Sequence, residues 1–119
     1  MKEIKAYLRP EKVDAVVHAL DDAGFHAITV IPVYAIGSLA DPRVHKISVL
    51  ALKSCSNICK LEMICHDEDV QRAVHLITEL GRSGYPGDGA IFVSTVDRAI
   101  KIRTGEEGVD AVERISSDS

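Results

Sequence analysis

A chain of 119 residues, 46% hydrophobic and 27% charged, is long enough for one globular domain with a single core and too short for two. Lysine and arginine number 14 against 18 aspartates and glutamates, a net charge of −4 with only 4% aromatics and no tryptophan, so the chain has neither the positive field nor the stacking rings of a general nucleic-acid binder. The opening Met1-Lys2-Glu3-Ile4-Lys5 lacks the basic-then-apolar order of a secretory signal, and no apolar run approaches the roughly 18 residues of a membrane span, so a soluble, cytoplasmic protein is expected.

Ile4, Ala6 and Leu8 alternate with Glu3, Lys5 and Tyr7, the period of a strand with one face buried, which Pro10 closes. Val13, Val16, Val17 and Leu20 then fall at helical spacing, with Asp14, His18, Asp21 and Asp22 largely off the stripe. Gly24 is placed to end this helix in a left-handed cap, and Ala27 to Val33 reads as a strand whose Pro32 suggests a sheet edge or a bulge. From about Ala35 to Ile58 the pattern dissolves into a long loop. Leu61, Met63 and Cys65 share a strand face from Lys60 onward, and Asp67-Glu68-Asp69 loads acid onto a helix start. Val70, Ala73, Val74, Ile77 and Leu80 form that helix's stripe, after which a glycine-dense loop, Gly81 to Gly89, runs into the strand Ile91-Phe92-Val93. The order is β-α-β, long loop, β-α-β, a weak internal duplication that predicts an α+β ferredoxin-like sandwich. The strands Ala27 to Val33 and Lys60 to Cys65 read as apolar on both sides, so the sheet face away from the helices needs a cover, and self-association into a closed ring supplies one.

The loop Gly81-Arg82-Ser83-Gly84-Tyr85-Pro86-Gly87-Asp88-Gly89 offers backbone N–H groups with little side chain in the way, as a phosphate-wrapping nest requires. It is not a Walker motif, and a tight helix-to-strand connection accounts for the same glycines. Lys101 and Arg103 alternate with Ile102, placing two cations on one strand face where an anion or only solvent could meet them. The five histidines, His18, His26, His45, His66 and His75, are scattered, and none sits in a local nucleophile–base–acid arrangement, with His18 and His75 expected at helix margins. The three cysteines, Cys55, Cys59 and Cys65, are too few and too odd in number for a disulfide framework. Cys55 and Cys59, with His45 or His66 near, are a candidate soft metal or redox site, but their spacing lies outside the compact Cys-x-x-Cys pairs and no fourth ligand is evident. Two unpaired thiols at a loop end are the plainer reading.

These motifs, taken together, resemble the PII nitrogen-regulatory signal-transduction proteins. The resemblance runs from Met1 to about Val112 and rests on Arg9-Pro10-Glu11-Lys12, Gly24 with Thr29-Val30, Asp67-Glu68-Asp69-Val70, Gly84-Tyr85-Pro86-Gly87-Asp88-Gly89 before Ile91-Phe92-Val93, and Ile102-Arg103-Thr104-Gly105-Glu106. It implies one domain over residues 1–112 with a long T-loop at about 35–58 and a polar tail at 113–119. It further implies a homotrimer, an adenine nucleotide (ATP, ADP or AMP) in clefts between subunits, and docking of the T-loop on an enzyme, transporter or regulator, without catalysis by the protein itself. By position, Gly87, Asp88 and Gly89 match the loop around the phosphates. Thr29, Gly37 and the backbone at Ile64 match contacts around the adenine and the T-loop base. Arg103 matches a phosphate-binding arginine from the neighbouring subunit, and Lys101 replaces an arginine, keeping charge and losing the bidentate fork.

The departures lie in and around the T-loop. Ala35-Ile36-Gly37-Ser38-Leu39 stands where the family commonly has Gly-Phe-Gly-Arg-Gln, and leucine cannot replace an oxygen ligand for the magnesium shared with 2-oxoglutarate. Ile58 stands where a lysine pairs with the 2-oxoglutarate carboxylate, so a site for 2-oxoglutarate with magnesium is not expected. Ala90 and Ser38 replace two cationic partners of ATP, and Ala51 has no hydroxyl where some relatives are uridylylated. The apolar Val49-Leu50-Ala51-Leu52 suits burial against a specialised target or against the trimer itself. The glycine segment resembles the nitrogenase-associated branch, whereas the opening resembles a transport-associated one. An alternative is a cation-responsive ferredoxin-like trimer using the loop thiols. An enzyme acting on phosphorylated substrates has only the glycine loop behind it.

Overall fold

The computed structural model describes residues 1–36, 39 and 58–114. Strand β1 (Lys2–Leu8) leads through a single 3-10 turn at Pro10–Lys12 into helix α1 (Val13–Asp22), and β2 (Ile28–Val33) follows. Further along the chain come β3 (Ile58–Cys65), a second 3-10 turn at Asp67–Asp69, α2 (Val70–Gly81), β4 (Ile91–Thr95) and a short α3 (Val109–Glu113). The strands form one antiparallel sheet in the order β2-β3-β1-β4. This is the ferredoxin-like α+β arrangement.

The core forms where the inward-facing strand residues meet the helix stripes. Ile4, Ala6 and Leu8 of β1 and Leu61, Met63 and Cys65 of β3 pack with Val16 and Leu20 of α1, Phe25, and Ala73 and Ile77 of α2. Each large aliphatic side chain buried in this way contributes about 1.5–3 kcal/mol. Gly24 ends α1 at φ +97°, the left-handed cap expected of it. Arg72 of α2 stacks its guanidinium 4.6 Å above the Phe25 ring and donates to the Ala23 carbonyl at 2.7 Å, which fixes the turn after α1. Pro32 lies in β2, at the edge of the sheet among the described residues, where its missing N–H is tolerated.

Several expectations need correction. Leu80 is exposed, and Gly81 takes the buried position at the end of the α2 stripe, because a Cβ there would come within 2.7 Å of Leu8. The outer side of β3 is not apolar throughout: Lys60 and Glu62 stand there 3.4 Å apart. Lys5, opposite Glu62 on β1, lies 3.8 Å from Glu3, so a patch of alternating charge crosses the middle of that face. Apolar surface flanks the patch. Tyr7 meets Phe92 edge-on at 5.9 Å, and Ile58 with Ala35 nucleates a second small cluster joined by Tyr7, Val33 and Leu39.

Asp67, Glu68 and Asp69 do stand at the start of α2, but none caps it through its side chain. Asp67 instead holds the Met1 amino group at 2.6 Å, and this hydrogen bond keeps its carboxyl below the usual range. Lys101 and Arg103 do not lie on a strand. Residues 101–104 form a turn closed by Lys101 N to Glu106 O and Gly105 N to Lys101 O, both 2.8 Å, beside the isolated bridge Ile100–Glu107.

Candidate ligand-binding loop and its surroundings

Residues 82–90 connect α2 to β4, and their shape is set by Asp88. Its Oδ1 accepts from Arg9 Nε at 2.8 Å and from Ser83 Oγ at 2.7 Å, while its Oδ2 accepts from the backbone N–H groups of Ser83 and Gly84, both at 2.8 Å. Partial desolvation pushes this carboxyl up, but the hydrogen bonds from Arg9, Ser83 and Gly84 together outweigh it and hold it well below the usual carboxylate range. Gly84 and Gly87 take φ of +91° and +105°, the left-handed region that makes glycine the residue of choice there. Gly89 serves a different purpose: its bare Cα lies against the Tyr7 backbone, and Tyr7 N donates to the Ala90 carbonyl at 2.9 Å. The loop thus grows directly out of the β1–β4 pairing.

Asp88 and Gly89 line a cavity of about 360 Å³ with Tyr7, Leu8, Ala90 and the end of α2. Thr29 and Ile64 meet elsewhere, in a cavity of about 370 Å³ that also takes in Glu3, His26 and Glu62. The two cavities share no residue, and neither is lined by Lys101 or Arg103. Lys101 Nζ donates to the Arg114 carbonyl at 3.3 Å, whereas Arg103 is exposed and has no ion-pair or hydrogen-bond partner among the described residues. Between them Ile102 is 100% exposed. The base of this hairpin is braced by Arg114, whose two terminal nitrogens reach the two Glu106 carboxylate oxygens at 3.1 and 3.3 Å and draw that carboxyl's pKa down.

Gly37, Ser38, Ala51 and Cys55, and with them most of the segment 35–58 expected to form a T-loop, lie outside the described residues, as does the tail beyond Arg114. Leu39 and Ile58 both belong to the apolar cluster built around Ala35. Cys59 carries a free thiol whose pKa burial pushes up, which lowers its thiolate fraction. Among the described residues no group of three or more His, Cys, Asp or Glu side chains could hold a metal ion. No helix among them is long and apolar enough to cross a membrane. His18 and His75 are exposed within α1 and α2.

Arg9 is the residue whose part in the site composition and spacing did not disclose. It stands in the Arg-Pro-Glu-Lys motif, but its partner Asp88 is 79 positions away.

Comparison with known proteins agrees with this fold. The family described as "Nitrogen regulatory protein P-II" matches residues 1–106. Nitrogen regulatory protein P-II 2 of Methanothermobacter thermautotrophicus is 40% identical, covering 94% of this chain and 97% of that protein. The nitrogen fixation nifHD region GlnB-like protein 1 of Methanothermobacter marburgensis is also 40% identical, over 92% and 100%. Nitrogen regulatory protein P-II of Rhodobacter capsulatus is 37% identical, over 94% and 100%. The chain belongs to the nitrogen regulatory protein P-II family, a family of regulatory signalling proteins rather than enzymes.

Proposed function

We propose that this protein is a homotrimeric cytoplasmic regulator that binds an adenine nucleotide between subunits and acts on a target protein through the segment around residues 35–58. The placement of the candidate residues carries the reading. Within one chain the glycine loop, the Thr29–Ile64 cavity and the Lys101–Arg103 hairpin are separate, so a complete nucleotide site needs parts from two copies. A fully exposed Ile102 beside an Arg103 with no partner among the described residues suits a hairpin that docks on a neighbour and presents a cation there. The half-apolar outer sheet face gives a second reason for association.

With Ala90 and Ser38 at two positions that are cationic in the family, few positive groups remain for the outer phosphates, so ADP and AMP are accepted alongside ATP. Leu39 and Ile58 supply neither an oxygen ligand nor a cation, which leaves 2-oxoglutarate with magnesium unsupported. The cation-responsive alternative draws no support from the described residues.

Calorimetric titration of the purified protein with ATP, ADP and AMP, with sedimentation equilibrium alongside, tests the reading. Binding of ADP within about tenfold of ATP, by a trimer, is the expected result. A monomer at micromolar concentration, absence of any adenine-nucleotide binding, or an ATP preference of several orders of magnitude would overturn it.

A further inference from the structure

We propose that Arg9 is the positioning residue of the phosphate loop: acting through Asp88, it holds residues 83–89 in the shape that receives phosphoryl groups, while the Asp88 carboxylate is spent on the loop and contacts no ligand. This rests on the nucleotide reading above and assigns to two of its residues roles that sequence matching alone does not give.

Arg9 is only 6% exposed. Besides its bond to Asp88, its Nη2 donates to the carbonyls of Pro86 at 3.0 Å and Tyr85 at 3.4 Å. One planar guanidinium therefore grips a carboxylate and two successive carbonyls of the same loop, a geometry that the single ammonium of a lysine does not reproduce. Seen from the other partner, Asp88 receives four donors on two oxygens. A carboxylate has about four lone-pair directions, so none is left for magnesium or a ribose hydroxyl. The Arg9 charge also offsets the negative charge that Asp88 would otherwise present to an incoming phosphate.

The saturation makes an isosteric change informative. In Asp88→Asn one oxygen becomes an NH2 group, and whichever way the amide turns, that group faces at least one obligate donor: Arg9 Nε, beside a Ser83 hydroxyl that would have to turn to accept, or the N–H groups of both Ser83 and Gly84. A residue that only touched ligand would tolerate this change in the free protein, whereas a loop anchor would not.

The test compares wild type with Arg9→Met, Arg9→Lys and Asp88→Asn. ADP binding is read by calorimetry, adenosine binding by ligand-observed NMR, and amide hydrogen exchange at Ser83 and Gly84 in the nucleotide-free protein. Expected are a tenfold or greater loss of ADP affinity in Arg9→Met and Asp88→Asn, adenosine affinity within twofold of wild type, and at least tenfold faster exchange at both amides. Arg9→Lys keeps the charge and falls between, which covers the case in which the methionine variant does not fold.

ADP affinity unchanged in all three variants, or ADP and adenosine weakened alike, overturns the proposal. If wild type binds no adenine nucleotide, the nucleotide reading fails separately. Exchange then decides the anchor: rates at Ser83 and Gly84 unchanged by the substitutions overturn it, and acceleration confined to the loop supports it.

Discussion

A Cβ built on Gly89 would overlap the carbonyl oxygen of Tyr7 and come within 2.7 Å of its carbonyl carbon. The contact is backbone against backbone, so no side-chain rotation relieves it. Gly89→Ala is therefore expected to separate the start of β4 from β1 and to cost at least the roughly 1–3 kcal/mol of an overpacked site. Gly84→Ala meets open space and strains only φ, at about 1–2 kcal/mol. Urea unfolding of both variants checks the order, and a Gly89→Ala protein as stable as wild type would contradict the close approach.

Arg103→Ala removes a cation with no structural partner among the described residues, so stability should not change. In the proposed nucleotide site it removes one charge-assisted hydrogen bond, worth about 1.5–3 kcal/mol of affinity. Calorimetry with ADP and a thermal melt, run on the same preparation, separate the two effects. A lowered melting temperature with unchanged ADP affinity would reverse the assignment.

Mg-ATP with 2-oxoglutarate offers a negative prediction. Leu39 and Ile58 share one apolar cluster with Ala35, Tyr7 and Val33, and aliphatic side chains neither ligate a hard cation nor pair with a carboxylate. Titration of 2-oxoglutarate into protein holding Mg-ATP should give no heat at submillimolar concentration. Saturable binding that depends on Mg-ATP would refute this.

His66 Nε2 lies 2.8 Å from Asp110 Oδ1, and this hydrogen bond raises the histidine's pKa above its ordinary value near 6.5. Because the folded pKa is the higher one, the stabilisation is fully present below pH 6.5 and disappears as pH rises through the raised value. Both side chains are largely solvated, so its size stays within about 1 kcal/mol. His66→Gln should flatten the slope of unfolding free energy from pH 6.5 upward. A slope identical to wild type would remove the pair from the account.

Cys59 should react slowly. Burial raises its pKa, so at neutral pH less thiolate is available to attack an alkylating agent. Modification of the Cys55→Ser protein by iodoacetamide, followed by mass spectrometry, should run slower at Cys59 than for a free model thiol.

The sheet and its two helices were legible because their signals are local. Ile4, Ala6 and Leu8 alternate over seven residues of β1, Val13 to Leu20 keep one helical stripe, and Gly24 and Pro32 mark a cap and an edge. Periodicity shows which face of a helix is apolar but not where the neighbouring strand stops, which is why Leu80 and Gly81 exchanged places. The Lys-Ile-Arg alternation looked like a strand, but hydrogen bonds at Gly105 and Glu106 close it into a turn. The five residues of α3 gave too short a pattern to read, and its burial comes from Val109 and Ala111. The glycine loop was visible as composition. Its organising contact was not, since Arg9 and Asp88 lie 79 positions apart and no spacing rule connects them.

Pro32 gives the sheet two unlike margins. On β2 a main-chain donor is missing, so an extended segment from another molecule finds an interrupted template there. On β4, the opposite margin, Ile91–Thr95 is free of proline and leaves Phe92 and Val93 exposed. Unwanted strand addition during expression or concentration has a preferred side, and a lysine at Val93 is a sensible first change for a preparation that precipitates.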